Sequence, residues 1–138
     1  MQFASALTTG LFFSTFSSPV PMAQAVVDES AFRPVFYGGE ASACSGFGRI
    51  DAGSKGKAGM LAVRKGPGSE FSETYVLANG DQVWLCDAKN DWLGVVFVPK
   101  GAQPSDCGMS ETVRYRLPYA GPCNAGWVQR RWVRLVTG

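Results

Sequence analysis

The chain has 138 residues, 46% hydrophobic and 17% charged, with a formal net charge of +2. This composition predicts one globular domain and excludes a disordered chain, and so small a net charge argues against a nucleic-acid partner. The sequence contains no histidine, which excludes Ser-His-Asp and Cys-His catalytic triads and histidine-ligated metal sites.

Residues 1–25 have the pattern of a secretory signal peptide. They contain no charged side chain, carry an apolar run from Leu7 to Phe16, and end in the cleavage signature Ala23-Gln24-Ala25. Prolines interrupt this stretch and it is too short to span a membrane, so we expect no stable membrane insertion. The alternative is an apolar N-terminal strand or anchor, because no Lys or Arg precedes the apolar run. We expect cleavage after Ala25 and a secreted or periplasmic protein.

Residues 26–58 are predicted to form an N-terminal lead-in and connector. Pro34 and the Gly38-Gly39 pair interrupt residues 26–39, which we expect to be loosely ordered. A short strand is expected within residues 44–51, followed by a connector of small residues. The connector's Gly56-Lys57-Ala58 opens a strand, whereas a Walker loop needs Gly-Lys-[Ser/Thr] at the start of a helix, so a phosphate loop is excluded.

Residues 60–98 have the pattern of a small β-meander. Leu61 and Val63 alternate with more polar neighbours, as in a strand with one buried face. Gly66-Pro67-Gly68 ends that strand, because proline lacks a backbone donor and its flanking glycines permit positive φ. Further strands are predicted around residues 75–77, 83–85 and 92–98. No segment of ten residues has apolar positions at helical spacing, so the sequence predicts an all-β fold.

Four motifs lie in order along residues 59–137: Leu61-Ala62-Val63-Arg64-Lys65-Gly66-Pro67-Gly68, Leu77-Ala78-Asn79-Gly80-Asp81-Gln82-Val83, Asp91-Trp92-Leu93-Gly94-Val95 and Gly126-Trp127-Val128. Together they resemble the bacterial SH3-type (SH3b) domain. The resemblance implies a small SH3-like barrel over residues 59–138, with a single 3₁₀ turn at residues 129–132 before the last short strand. The chain departs from the family at Asp91, where Gly is usual, and in an insertion, residues 99–125, that replaces a short hairpin turn.

The four cysteines predict two disulfides, because an even number in a small exported domain is typical of a disulfide framework. Three pairings exist. Since Cys107 and Cys123 bracket the Pro- and Gly-rich insertion, we predict that they link its two ends, which leaves Cys44 to pair with Cys86. Zinc is the rival interpretation, but the chain has neither a C-x-x-C spacing nor a histidine. We therefore expect no metal and no cofactor.

Carboxylates are the remaining route to catalysis. Asp87 and Asp91 flank a predicted hairpin turn, and Glu70 and Glu73 lie in the loop after Gly66-Pro67-Gly68, so a glycosidase-type pair is an alternative by count. Charged loop residues on a small barrel usually serve solubility only, and a catalytic cysteine would have no imidazole to activate it. We therefore expect a protein that is not an enzyme.

The SH3-type resemblance implies a binding module. Such barrels bind extended peptides or glycan-linked peptides in a shallow groove, lined by aromatic rings, between the long loop and the hairpin loops. The candidates for this groove are the rings of Trp92, Tyr119, Phe71 and Tyr75, with Arg64 and Arg131 at its charged rim. The alternative is that the tryptophans Trp84, Trp92 and Trp127 are packing residues, which is the interpretation we favour for Trp127.

Basic residues gather in the last quarter of the sequence, at Arg114, Arg116, Arg130, Arg131 and Arg134. They predict either a local patch for an anionic partner or, more simply, a solvated surface. The expected partner is a cell-wall peptide or peptidoglycan-type ligand. The alternatives are a stand-alone envelope protein or assembly factor that binds another protein and, more remotely, an enzyme of unfamiliar type.

Overall fold

The computed structural model describes residues 9–20, 32–39, 44–53 and 59–137. Within these ranges the chain is all-β, as predicted, with one 3₁₀ turn at Arg130–Trp132. The strands are β1 Phe36–Tyr37, β2 Gly46–Ile50, β3 Met60–Arg64, β4 Glu73–Ala78, β5 Gln82–Lys89, β6 Trp92–Phe97, β7 Leu117–Pro118, β8 Asn124–Gln129 and β9 Val133–Thr137. Residues 9–20 are exposed and form neither strand nor helix, and the predicted cleavage site lies outside the described ranges.

Most elements predicted from the sequence are confirmed. The strands predicted within residues 60–98 are β3 through β6, and the short strand expected within residues 44–51 is β2. The predicted meander is wrong, because β4 pairs with β3 and β5 pairs with β6, while β8 lies between these two hairpins in the sheet. Leu61 and Val63 are buried, as their alternation predicted. The 3₁₀ turn also lies where it was expected, directly before β9. No helix among the described residues has the length and apolarity needed to cross a membrane.

Seven strands form one antiparallel sheet in the order β4-β3-β8-β6-β5-β2-β9, and β1 pairs with β7 in a separate two-stranded ribbon. The seven-stranded sheet is not closed into a barrel, because its edge strands β4 and β9 do not pair with each other. The last strand pairs instead with β2, from Phe47 to Ile50. β2, which precedes β3 in the chain, thus lies next to the last strand.

Residues on both faces of this sheet are buried. The main core contains Leu61, Val63, Leu77, Val83, Leu85, Leu93, Val95, Phe97 and Val128, together with Ile50 and Ala52. Val96 and Trp127 follow or precede the core residues Val95 and Val128, so their side chains point to the opposite face of the sheet. Both are nevertheless fully buried. The indole Nε1 of Trp127 donates to the Arg33 carbonyl at 2.7 Å. Trp127 is therefore a packing residue, as expected, and lies under the N-terminal segment.

The expectation of a loosely ordered lead-in is wrong for residues 32–39. Val35 is buried, with 4% of its surface exposed, and its carbonyl accepts a hydrogen bond from the Tyr119 amide at 2.8 Å. The Phe36 amide donates to Asp87 Oδ2 at 3.1 Å. Proline and glycine suggested a loop, but β1 is held by distant residues of the insertion and of β5, which a local reading of the sequence does not reveal.

Both predicted disulfides are confirmed. Cys44 is bonded to Cys86 with a Cα–Cα distance of 4.2 Å, and Cys107 is bonded to Cys123 at 5.4 Å. The Tyr119 hydroxyl adds to the second link, because it donates to the Cys107 carbonyl at 2.8 Å and accepts from the Cys123 amide at 3.2 Å. The segment between these cysteines, which contains β7, is thus a lobe held covalently and by hydrogen bonds.

Candidate functional site

A cleft of about 440 Å³ lies where the loop after β3, the β5–β6 turn and the 3₁₀ turn meet. We call it the Trp92 cleft. It is lined by Ser69, Asp91, Trp92, Gln129, Arg130 and Arg131. It therefore unites three regions separated in sequence, including two of the predicted site residues, Trp92 and Arg131.

The β5–β6 turn positions one wall of the Trp92 cleft. Asn90 has a φ of 52°, a left-handed conformation that asparagine tolerates better than most residues. The turn brings Trp92 opposite Lys89 on β5 and opposite Gln129 on β8. The backbone amide of Arg130 then donates to the Asp91 carbonyl at 2.8 Å, which fastens the 3₁₀ turn to the hairpin. The floor and one wall of the cleft are thus set by backbone pairing.

The side chains of the Trp92 cleft leave polar groups available to a ligand. Trp92 is half-buried, and its indole N–H has no hydrogen-bond partner within the described part of the chain, whereas that of Trp132 donates to Gln129 Oε1 at 2.9 Å. The Arg131 guanidinium lies 4.7 Å from the centre of the Trp132 ring. The cleft therefore offers one apolar ring, one free donor and exposed cationic groups.

Arg64 and Phe71 shape the loop beside the cleft but do not line it. The Arg64 guanidinium donates to the Phe71 carbonyl at 2.8 Å and pairs with Glu73 at 3.2 Å. The Phe71 ring lies so close to Gly66 that a Cβ there would be 2.5 Å from it. Both predicted site residues thus hold the long loop in shape, and that loop contributes Ser69 to the cleft.

Tyr75 and Tyr119 lie together in a different cleft of about 260 Å³, which they share with Phe32 and Lys65 among others. Tyr75 is 40% exposed and its ring meets Phe97 edge-on at 5.6 Å. The Tyr119 ring packs edge-on against Tyr37 at 5.1 Å. The aromatic residues predicted to form one groove are therefore separated: Trp92 lines one cleft, Tyr75 and Tyr119 line another, and Phe71 lines neither.

Burial raises the pKa of the Tyr119 phenol above its ordinary value near 10, and the nearby Tyr37 acts in the same direction. The hydrogen bond from the Cys123 amide opposes this effect but is the smaller influence. Because the Tyr119 hydroxyl already bonds to both ends of the lobe, we assign Tyr119 the structural role of holding the lobe together.

Ser69 and Gln129 were not among the candidates from the sequence. Gln129 reaches the cleft because β6 pairs with β8 across the insertion, a pairing that no local pattern encodes. Trp84 packs edge-on against Phe47 at 5.7 Å, and both line a third cleft of about 360 Å³ with Phe97. This arrangement agrees with the packing interpretation of Trp84.

The carboxylates in the described part of the chain do not form a metal centre. Within the described residues, no group of three or more Cys, Asp or Glu side chains is arranged to hold an ion. The buried carboxylate of Asp87 pairs with Arg116, and that of Glu73 pairs with Arg64. No protein-family model, curated protein or solved structure matches this chain. Function is therefore inferred from the sequence motifs and from the Trp92 cleft.

Proposed function

We propose that this chain is a non-catalytic, exported binding module of the bacterial SH3 type that recognises a cell-wall or envelope peptide or glycopeptide. The four spaced motifs support the SH3-type assignment, and so does the 3₁₀ turn directly before the last strand. The open sheet departs from the closed barrel that the resemblance implied. In this proposal, β2 extends an SH3-like strand arrangement at the edge next to β9.

One observation carries the proposal: Trp92, Arg131 and Ser69 of the long loop line a single cleft. This is the position, between the long loop and a hairpin turn, at which the resemblance implies a ligand groove. A half-buried tryptophan presents a large flat contact area at little entropic cost, and its free N–H can bond to a peptide carbonyl. The Trp92 cleft therefore fits an extended peptide chain.

Export is the second part of the proposal. Two disulfides link all four cysteines, which is typical of proteins that fold in an oxidising compartment. The Ala23-Gln24-Ala25 signature supplies the matching cleavage site. Mass spectrometry of exported protein tests this part, since a mature chain that still begins at Met1 would contradict it.

Co-sedimentation with purified, protein-free cell walls tests the binding function. We expect the oxidised wild-type protein to co-sediment and the Trp92→Ala variant to bind about 30-fold more weakly, the equivalent of about 2 kcal/mol for a central aromatic contact. Tyr115→Ala is the matched control, because Tyr115 is 74% exposed and lines none of the clefts described above. The far-ultraviolet spectrum should remain unchanged in both variants.

Two results would contradict the proposal. If Trp92→Ala binds walls as tightly as wild type, the Trp92 cleft is not the binding site. If the wild-type protein ignores purified walls but captures an envelope protein, the alternative of an assembly factor replaces the wall-binding function.

A further inference from the structure

The Trp92 cleft adjoins another cleft, and Arg130 lines both. The second cleft measures about 530 Å³ and is bordered by Arg116, Asp87 and Leu135 among others; we call it the Arg116 cleft. Because Arg130 lines both clefts, we treat them together as one surface beside the 3₁₀ turn.

The arginines along this surface differ in their charge balance. Arg116 is neutralised by the Asp87 carboxylate. Arg130 donates to the Asn90 carbonyl at 3.3 Å, and Arg131 lies over the Trp132 ring, but neither pairs with a carboxylate of the described residues. Both are exposed. Elsewhere, Arg64 and Arg134 do have acidic partners.

We propose that the ligand of this surface is a peptide with at least two carboxylates, bound by Arg130 and Arg131 while Trp92 contacts the chain between or beside them. The inference rests on the proposed function and specifies its ligand. A guanidinium presents two parallel N–H donors that match the two oxygens of a carboxylate, so unpaired arginines select for that group. Asp91 is the only acidic side chain that lines the Trp92 cleft and disfavours carboxylates at its own end.

A pair of synthetic tetrapeptides tests the proposal through the fluorescence of the tryptophans. The first is N-acetyl-Ala-Glu-Ala-Glu-amide and the second is its Gln counterpart, so that only side-chain carboxylates differ. We expect the oxidised wild-type protein to bind the Glu peptide at least tenfold more tightly, with an affinity that falls as salt is added. Arg130→Gln and Arg131→Gln should each lose about tenfold in affinity for the Glu peptide and little for the Gln peptide.

Arg114→Gln is the matched control, because it removes the same charge from an exposed arginine that lines neither cleft. It should change the affinity less than twofold. Equal affinity for the two peptides, no binding of either, or an equal loss in Arg114→Gln would overturn the inference. Displacement of the Glu peptide by inorganic phosphate at an equal concentration would also overturn it, since the surface would then be a general anion site.

The wall-binding assay separates this inference from the proposed function. If Trp92→Ala loses wall binding while Arg130→Gln and Arg131→Gln retain it, the binding function stands and the carboxylate requirement is refuted. If Trp92→Ala retains wall binding, the proposed function fails, whatever the tetrapeptides show.

Discussion

Replacing Cys107 and Cys123 together by alanine removes the covalent link between the two ends of the lobe. These cysteines are 16 residues apart, and in the loop-entropy model closing such a loop contributes about 3 kcal/mol to the free energy of unfolding. Typical domains are stable by about 5–15 kcal/mol, so the variant should lose a large fraction of its stability. At this chain length the loss corresponds to a decrease in Tm of about 10 °C.

Limited trypsin digestion localises the effect. Arg114 and Arg116 are exposed cleavage sites within the lobe. The variant should be cut at these sites well before the strands of the main sheet, because the lobe then keeps only noncovalent contacts, among them the hydrogen bonds of Tyr119, the β1–β7 pairing and the Arg116–Asp87 ion pair. Trp127 should also become more accessible to acrylamide, since its indole bonds to Arg33, in the segment that β1 joins to the lobe.

The matched control is the variant without the other disulfide. Cys44 and Cys86 are 42 residues apart, for which the same model gives about 4 kcal/mol. That variant should lose at least as much stability, but its early trypsin cuts should not concentrate in the lobe. If removal of the Cys107–Cys123 link leaves both the Tm and the digestion pattern unchanged, the idea that the disulfide holds the lobe is refuted.

Two further predictions concern the contacts of the lobe. Arg116→Ala leaves the buried Asp87 carboxylate without its cation and should lower the free energy of unfolding, measured by urea denaturation, by about 1–2 kcal/mol, a value reduced because Arg116 is largely exposed. The control Arg114→Ala should lower it by less than about 0.5 kcal/mol. Equal effects of the two variants would refute the role of the ion pair. Because folding raises the pKa of the Tyr119 phenol, the protonated phenol contributes fully to the free energy of unfolding below about pH 10. That contribution is lost as the pH rises through the pKa of the folded state, and Tyr119→Phe should abolish this loss.

The sequence predicted most of the secondary structure because the relevant signals are local. Alternating Leu61 and Val63, the Gly66-Pro67-Gly68 turn and the 3₁₀ turn before β9 are each encoded within a few residues. The disulfides could be predicted because Cys107 and Cys123 bracket a segment whose prolines and glycines exclude a long strand.

The features that the sequence did not predict depend on contacts between distant residues. Val35 is buried, and its carbonyl accepts a hydrogen bond from the distant Tyr119 amide, although its neighbours in the sequence suggested a loop. The sheet is open because its edge strands β4 and β9 do not pair with each other, and the position of β9 next to β2 depends on residues far apart in the chain. The aromatic residues predicted to share one groove lie apart because Tyr119 is bonded to the ends of the lobe, whereas Trp92 belongs to the β5–β6 hairpin.

The pairing of β6 with β8 separates the Trp92 cleft from the lobe. The two strands are joined in register from Trp92↔Gln129 to Phe97↔Asn124, and the lobe leaves the ladder beyond the second pair. The Trp92 cleft lies at the first pair, roughly 17 Å away along the strand. β6 and β8 thus form a hairpin with a long connection. We expect changes in the length or composition of that connection to leave the register at the Trp92 end unchanged. Grafting a different loop between Phe97 and Asn124 should therefore leave the lining of the Trp92 cleft intact, because none of its lining residues lies in that segment, whereas the graft would remove Arg116 from the Arg116 cleft.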